Sequence, residues 1–189
     1  MKIGLYFGSF NPVHIGHLII ANHIVNNTVL QKVWFILSPQ NPLKLSSSLL
    51  NEYHRLYLIQ SAIDGENNLK VSNVEFHLPR PSYTVDTLTY LKEQYPKHEF
   101  SIIMGSDSFS NLSHWKNYEV LIKNSVLYIY KRPGFEVENN IGADIIQLEA
   151  PLLDISSTGI RDLIKKGKSI RYLVPDIVKE EIERCNYYK

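Results

Sequence analysis

The fold of this chain is constrained most by Gly8-Ser9-Phe10-Asn11-Pro12-Val13-His14-Ile15-Gly16-His17, which follows an apolar run at residues 3–7 and precedes an amphipathic one at 18–25. The pattern reads as a buried strand, a tight turn and a helix that opens with two histidines one turn apart. A strand-to-helix junction of this kind leaves free backbone N–H groups and the positive end of a helix facing a crevice, where phosphate binds. Gly8 and Gly16 allow close backbone approach, and Pro12 fixes its φ and offers no competing N–H. His14 and His17, at i and i+3, share one helical face. A positive charge there is disfavoured until an anion meets it, so the pair suits a polyphosphate better than it suits stability. Zinc on this helix would need three or four ligands, and His23 is nearly two turns on and rotated away.

Strand-like runs rich in Val, Ile, Phe and Tyr fall at residues 2–8, 32–38, 69–76, 100–105, 125–130 and 145–148, with helical patterns at 15–25, 51–63, 85–94, 115–122, 159–165 and 177–184. The alternation predicts an α/β fold over one domain, 1–189: a single doubly wound, mainly parallel sheet with helices on both faces. Ligands bind such sheets beyond the carboxyl ends of the strands. Segments 8–17, 38–44, 105–107, 131–134 and 155–161 are therefore expected to line one crevice.

Bulk charge narrows the partners. A net charge of +1 gives no field that would draw the chain onto nucleic acid or an anionic membrane, so anion recognition has to be local. No apolar run approaches the roughly 20 residues that cross a bilayer. Cys185 is the only cysteine, and the first strand begins at Lys2 without a signal-peptide pattern, so a reducing cytoplasm is the expected compartment. The cluster Lys165, Lys166, Lys168 and Arg171 reads as a solvated face.

A second phosphate element lies at Ile155-Ser156-Ser157-Thr158-Gly159-Ile160-Arg161. Its hydroxyls suit a helix N-cap. Arg161, read as lying in the first turn, opposes the helix dipole, and a bound triphosphate would reverse the sign of that interaction.

His14-Ile15-Gly16-His17 resembles the hallmark of the nucleotidylyltransferase superfamily, and residues 155–161 resemble its C-terminal Ile-Ser-Ser-Thr-x-Ile-Arg element. The resemblance implies a Rossmann-like fold. It also implies transfer of a nucleoside monophosphate from a triphosphate to a phosphate-bearing acceptor, with release of pyrophosphate. By the same resemblance Gly8, Ser9, Phe10, His14, His17, Ser157, Thr158 and Arg161 contact ATP, and His14, His17 and Arg161 stabilise charge in catalysis. Mg²⁺ is expected with ATP, held by substrate phosphates and water and not by a dense carboxylate cluster.

Three central segments narrow the resemblance to the nicotinate mononucleotide adenylyltransferases. They are residues 81–88 (Pro81-Ser82-Tyr83-Thr84-Val85-Asp86-Thr87-Leu88), residues 104–108 with Leu112, His114 and Trp115, and residues 131–134 (Lys131-Arg132-Pro133-Gly134), joined by residues 172–175 near the end. On this resemblance ATP and nicotinate mononucleotide are the substrates, and Asn11, Lys44, Thr84, Asp107, Trp115 and Arg132 serve the acceptor. Trp115 suits stacking on a pyridine ring, and the amides of the helix headed by Thr84 suit a carboxylate. Lys44 stands in register with the family's loop lysine, although Leu43 replaces the usual histidine. Nicotinamide mononucleotide and phosphopantetheine are the rival acceptors, and a nucleotide-binding regulator without catalysis is the rival of another class. A class I aminoacyl-tRNA synthetase fragment fits poorly, since the chain lacks a basic face for tRNA.

Overall fold

Alternate residues of the central strands are apolar in both directions, as a sheet covered on both faces requires. The computed structural model describes residues 1–40, 49–151 and 154–189. Six strands, β1 (Lys2–Gly8), β2 (Lys32–Leu37), β3 (Leu69–Ser72), β4 (Glu99–Gly105), β5 (Leu127–Tyr130) and β6 (Ile145–Leu148), form one sheet in the order β3-β2-β1-β4-β5-β6. Every pairing within it is parallel. Around it lie α1 (Ile15–Asn27), α2 (Glu52–Ala62), α3 (Thr84–Gln94), α4 (Ser106–Phe109), α5 (Tyr118–Asn124), α6 (Ser157–Lys165) and α7 (Asp176–Arg184).

The two-residue period of β1 divides the core. Ile3 and Leu5 point to the side where Val85, Leu88 and Leu91 of α3 and Leu121 of α5 pack. Tyr6 points to the other side, among Ile20 and Ile24 of α1, Leu58 and Ile59 of α2, Ile160 of α6, and Val178 and Ile182 of α7. The sheet is thus doubly wound, as the alternation of elements predicts. The strand order reverses between β1 and β4, so the tips of those two strands, Gly8 and Gly105, flank the crevice where ligands collect in such sheets. No helix among the described residues is long and apolar enough to cross a membrane.

Among the element boundaries that differ from the sequence expectation, three lie close to the site or the sheet edge. The strand expected at 69–76 ends at Ser72, and a 3₁₀ turn, Val74–His77, follows. Glu75 lies in that turn, 2% exposed, and its carboxylate accepts from Ser38 Oγ at 2.8 Å, Ser82 Oγ at 2.6 Å and Thr87 Oγ1 at 2.9 Å. A continued strand would have set this carboxylate against the apolar sheet face. The helix expected from 115 begins at Tyr118, because Trp115 closes a 3₁₀ turn, Leu112–His114, and Asn117 takes a left-handed φ of 50° that redirects the chain. β5 starts at Leu127, since Ser125 and Val126 lie ahead of the paired residues.

Candidate active site

At the tip of β1 the backbone turns sharply. Phe10 has a φ of +43°, uncommon for a residue with a Cβ, and its ring lies against Gly8, where a Cβ would stand 2.9 Å from it. A side chain at position 8 would therefore push Phe10 out of the core. Gly16 is confined in the same way, because a Cβ there would meet the His14 ring at 3.1 Å.

His14 is the N-cap of α1 and His17 its third residue. Their rings stack with centroids 3.6 Å apart, and the His14 backbone N–H donates to His17 Nδ1 at 3.2 Å. That acceptor role leaves the His17 proton on Nε2. The rings of Phe10 and Tyr6 meet His17 edge-on at 4.9 and 5.9 Å, and the Tyr6 hydroxyl donates to that of Tyr130 at 3.3 Å. The positive charge expected of these histidines from their place at a helix start is opposed by their burial. Burial, assisted by the Arg132 cation, lowers His14 to about 3. Burial, then His14 and Arg132, holds His17 well below the usual imidazole value. Burial therefore favours the neutral form of both imidazoles. Burial likewise raises the Tyr6 and Tyr130 phenols above their ordinary value, so they remain protonated.

α6 approaches from the far end of the chain. Ser156 is its N-cap and accepts from the Gly159 N–H at 3.1 Å. Ser157 Oγ donates to the Pro12 carbonyl at 2.9 Å, and Arg161 Nη1 donates to the Asn11 carbonyl at 2.8 Å. The two phosphate elements are thus joined directly. Arg161 also differs from expectation. It is the fifth residue of α6, beyond the first turn where the dipole is felt. Its guanidinium is held by the Asn11 carbonyl and by Thr158 Oγ1 at 3.2 Å.

One crevice of about 490 Å³ gathers Gly8, Ser9, Phe10, Asn11, His14, His17, Ser157, Thr158 and Arg161, together with Asp107 and Arg132. Asp107 and Arg132, expected on the acceptor side, face each other across this crevice at 3.7 Å, Oδ1 to Nε. Arg132 also lies 5.6 Å from the Tyr130 ring centroid. A second pocket of about 160 Å³ holds Thr84, Trp115, Tyr83 and Glu75, and it shares Phe7, Gly8 and Ser108 with the first. Thr84 is the first residue of α3 and lines this pocket, so the start of that helix lies beside it. Lys44 lies outside the described residues. Among the described residues no group of three or more His, Cys, Asp or Glu could hold a metal ion.

Two buried charged residues escape the motif reading. Glu75 lines the smaller pocket. Arg55 of α2, 0% exposed, donates to the carbonyls of Leu50 (2.8 Å), Ser9 (2.6 Å), Ser38 (2.8 Å) and Pro39 (2.8 Å). Burial lowers its guanidinium only to about 10, so it stays charged. One signal was present in the sequence: Arg55 falls on the same helical face as Leu58 and Ile59, an apolar stripe where a cation needs a purpose.

The turn after the first strand faces a second helix start across the switch point of the α/β sheet, where ligands collect in such folds. The Cytidylyltransferase-like family profile matches residues 5–163. A Flavobacterium johnsoniae protein named "Probable nicotinate-nucleotide adenylyltransferase" is 48% identical over 192 residues, covering 100% of both chains. The solved structure of Plasmodium falciparum nicotinic acid mononucleotide adenylyltransferase complexed with NaAD is similar with a TM-score of 0.85 at 23% identity, over 99% of this chain and 97% of that one. The same enzyme complexed with APC gives 0.84 at 22% identity, over 99% and 96% of the two chains. The chain belongs to the Cytidylyltransferase-like family and, within it, to the nicotinate-nucleotide adenylyltransferases.

Proposed function

We propose that the chain transfers the adenylyl group of ATP to nicotinate mononucleotide, giving nicotinate adenine dinucleotide and pyrophosphate. The observation that carries this reading is the shared wall of the two pockets at Phe7, Gly8 and Ser108. A triphosphate laid over the β1–α1 turn and a mononucleotide with its ring against Trp115 bring their phosphates together there. A phosphate oxygen of the acceptor attacks the α-phosphorus in line, the new P–O bond replaces the bond to the β-phosphate, and pyrophosphate leaves. The nucleophile is an anion at neutral pH, so no covalent enzyme intermediate and no general base are required.

The protein's task is then positioning and charge stabilisation. The neutral His17 offers its Nε2 proton, and His14 stacks beside it. Arg161 has donors to spare beyond Asn11 and Thr158 for the phosphates that leave. Ser157, Thr158 and the amides of residues 8–10 complete the nucleotide side. Arg132 and Asn11 serve at the junction, with Asp107 as the partner that orients Arg132, and Lys44 belongs to the same set by sequence. Mg²⁺ enters with ATP as part of the substrate, held by phosphate oxygens and water, and neutralises their charge. The nicotinate ring stacks on Trp115, and its carboxylate meets the amides that open α3 at Thr84.

The test is pyrophosphate release by purified protein with MgATP and each of nicotinate mononucleotide, nicotinamide mononucleotide and phosphopantetheine. Release with the first, well above the other two, is the expected result. Release only with phosphopantetheine, or with none of the three, would sink the assignment.

A further inference from the structure

Arg132 is fixed at its backbone and only loosely held at its guanidinium. The pairing of β4 with β5 ends at Gly105 and Tyr130. One further bond ties the two strand tips beyond that point: the hydroxyl of Ser106, a residue 0% exposed, accepts from the Arg132 backbone N–H at 2.9 Å. A side-chain oxygen takes this bond, which leaves the Ser106 carbonyl to accept from the Ser110 N–H at 3.0 Å as the chain turns into α4. The Arg132 carbonyl accepts from the Phe135 N–H at 3.2 Å, closing a turn with Gly134 at a φ of +80°. The side-chain stem lies against Gly105, where a Cβ would stand 3.2 Å from Arg132 Cγ and collide with Asp107 Oδ1. The head of the side chain is held otherwise. Among the described residues its Nε makes no hydrogen bond, and it stands 3.7 Å from Asp107 Oδ1, beyond hydrogen-bond length.

We infer that Ser106 is a positioning residue for the transfer reaction: its buried hydroxyl fixes the base of Arg132, so that the guanidinium is presented to the crevice at a set place and can still turn onto an anionic oxygen. This rests on the place given to Arg132 under the proposed function. Arg132 lines the crevice together with His14, His17 and Arg161. A guanidinium donates in a planar fork, so its usefulness to a phosphate depends on where its stem starts. The pair with Asp107 is partly exposed, at 30% and 39% for the two side chains, and pairs of that kind hold weakly. A phosphate that takes two donors of the fork binds the guanidinium more strongly and draws it away from Asp107. The buried hydrogen bond supplies a rigid base, and the weak pair leaves a movable head.

The decisive experiment is a double-mutant cycle in the pyrophosphate-release assay with MgATP and nicotinate mononucleotide. Wild type, Ser106→Ala, Arg132→Ala and the double variant are compared well below their melting temperatures, which are measured in parallel. Ser106→Ala is expected to lower kcat/KM about tenfold when Arg132 is present and less than about twofold when residue 132 is alanine, because the hydroxyl acts through that side chain. Equal losses in both backgrounds, or no loss in Ser106→Ala, would overturn the proposal whatever the melting temperature does. Where Ser106→Ala does not fold, Ser106→Cys keeps the side chain's size with a weaker acceptor. A loss of about threefold that vanishes beside Arg132→Ala is then expected, and a loss that persists there overturns the proposal. Arg132→Ala on its own separates the two levels. An unchanged kcat/KM in that variant overturns the place given to Arg132 under the proposed function, and the role of Ser106 with it. A fall in that variant, with the effect of Ser106→Ala simply added to it, overturns the role of Ser106 alone.

Discussion

Replacing Arg55 with methionine tests whether a single buried cation ties the nucleotide turn to its surroundings. The guanidinium reaches four carbonyls on three segments: Ser9 in the phosphate turn, Ser38 and Pro39 after β2, and Leu50 ahead of α2. Methionine fills a similar length but donates nothing. The bond to Pro39 is fully buried and the other three are partly buried. Leaving an acceptor unpaired costs about 1–3 kcal/mol, so we assign roughly 1 kcal/mol to each of the three and about 2–3 to the fourth. Relief of the buried charge returns part of that sum, and about 4 kcal/mol is the expected loss, beyond the 0.5–3 typical of point mutations. For a chain of 189 residues this lowers the melting temperature by roughly 8–16 °C. Arg55→Lys, with three donors and no planar fork, should lose about half as much. The assay is thermal unfolding followed by circular dichroism, paired with ATP KM measured well below the melt, where release of the Ser9 carbonyl should raise KM about tenfold. A melt within about 3 °C of wild type for Arg55→Met would refute the reasoning.

His14→Ala and His17→Ala should each lower kcat on the order of 10²-fold or more in a pyrophosphate-release assay, with a far smaller change in melting temperature. Because burial lowers the folded-state value of His14 to about 3 and that of His17 in the same direction, the stability these rings hold is complete above their unfolded value of 6.5. It is lost as pH falls below that value, since the unfolded chain takes up the protons first; melts from pH 7 to 4.5 should fall less steeply in His14→Gln. Arg161→Ala should destabilise the nucleotide-free protein by about 1 kcal/mol through loss of its bond to the Asn11 carbonyl, and a gain in stability would restore the dipole argument. Wild-type protein should prefer the acid mononucleotide over the amide by roughly 10- to 100-fold in kcat/KM, the difference between charged and neutral hydrogen bonds. Trp115→Ala should weaken both acceptors alike and leave ATP KM nearly unchanged.

Sequence periodicity gave the architecture because strands and helices alternate with clear periods, and the turn at residues 8–17 is chemically distinctive. What escaped reading is long-range. Glu75 reads as one more residue of a strand because its three hydroxyl partners come from positions 38, 82 and 87, and no local window contains all of them. The charge of the histidines depends on burial, for His17 beneath Phe10 and Tyr6, which a sequence does not display. The sequence sets Arg161 two residues too near the helix start because hydroxyl residues at 156, 157 and 158 all suit a cap, and only the backbone shows that Ser156 takes that position. Trp115 sits outside a helix because Asn117 adopts a left-handed conformation that asparagine tolerates and does not require.

The link from Ser157 to Pro12 and from Arg161 to Asn11 spans 145 and 150 positions of the chain. Ser157, Thr158 and Arg161, which the proposed function sets on the triphosphate, are therefore missing from any polypeptide that stops before residue 157, however well its first strands have paired. On an immobilised triphosphate, the full chain is expected to be retained and one cut before residue 157 to wash through.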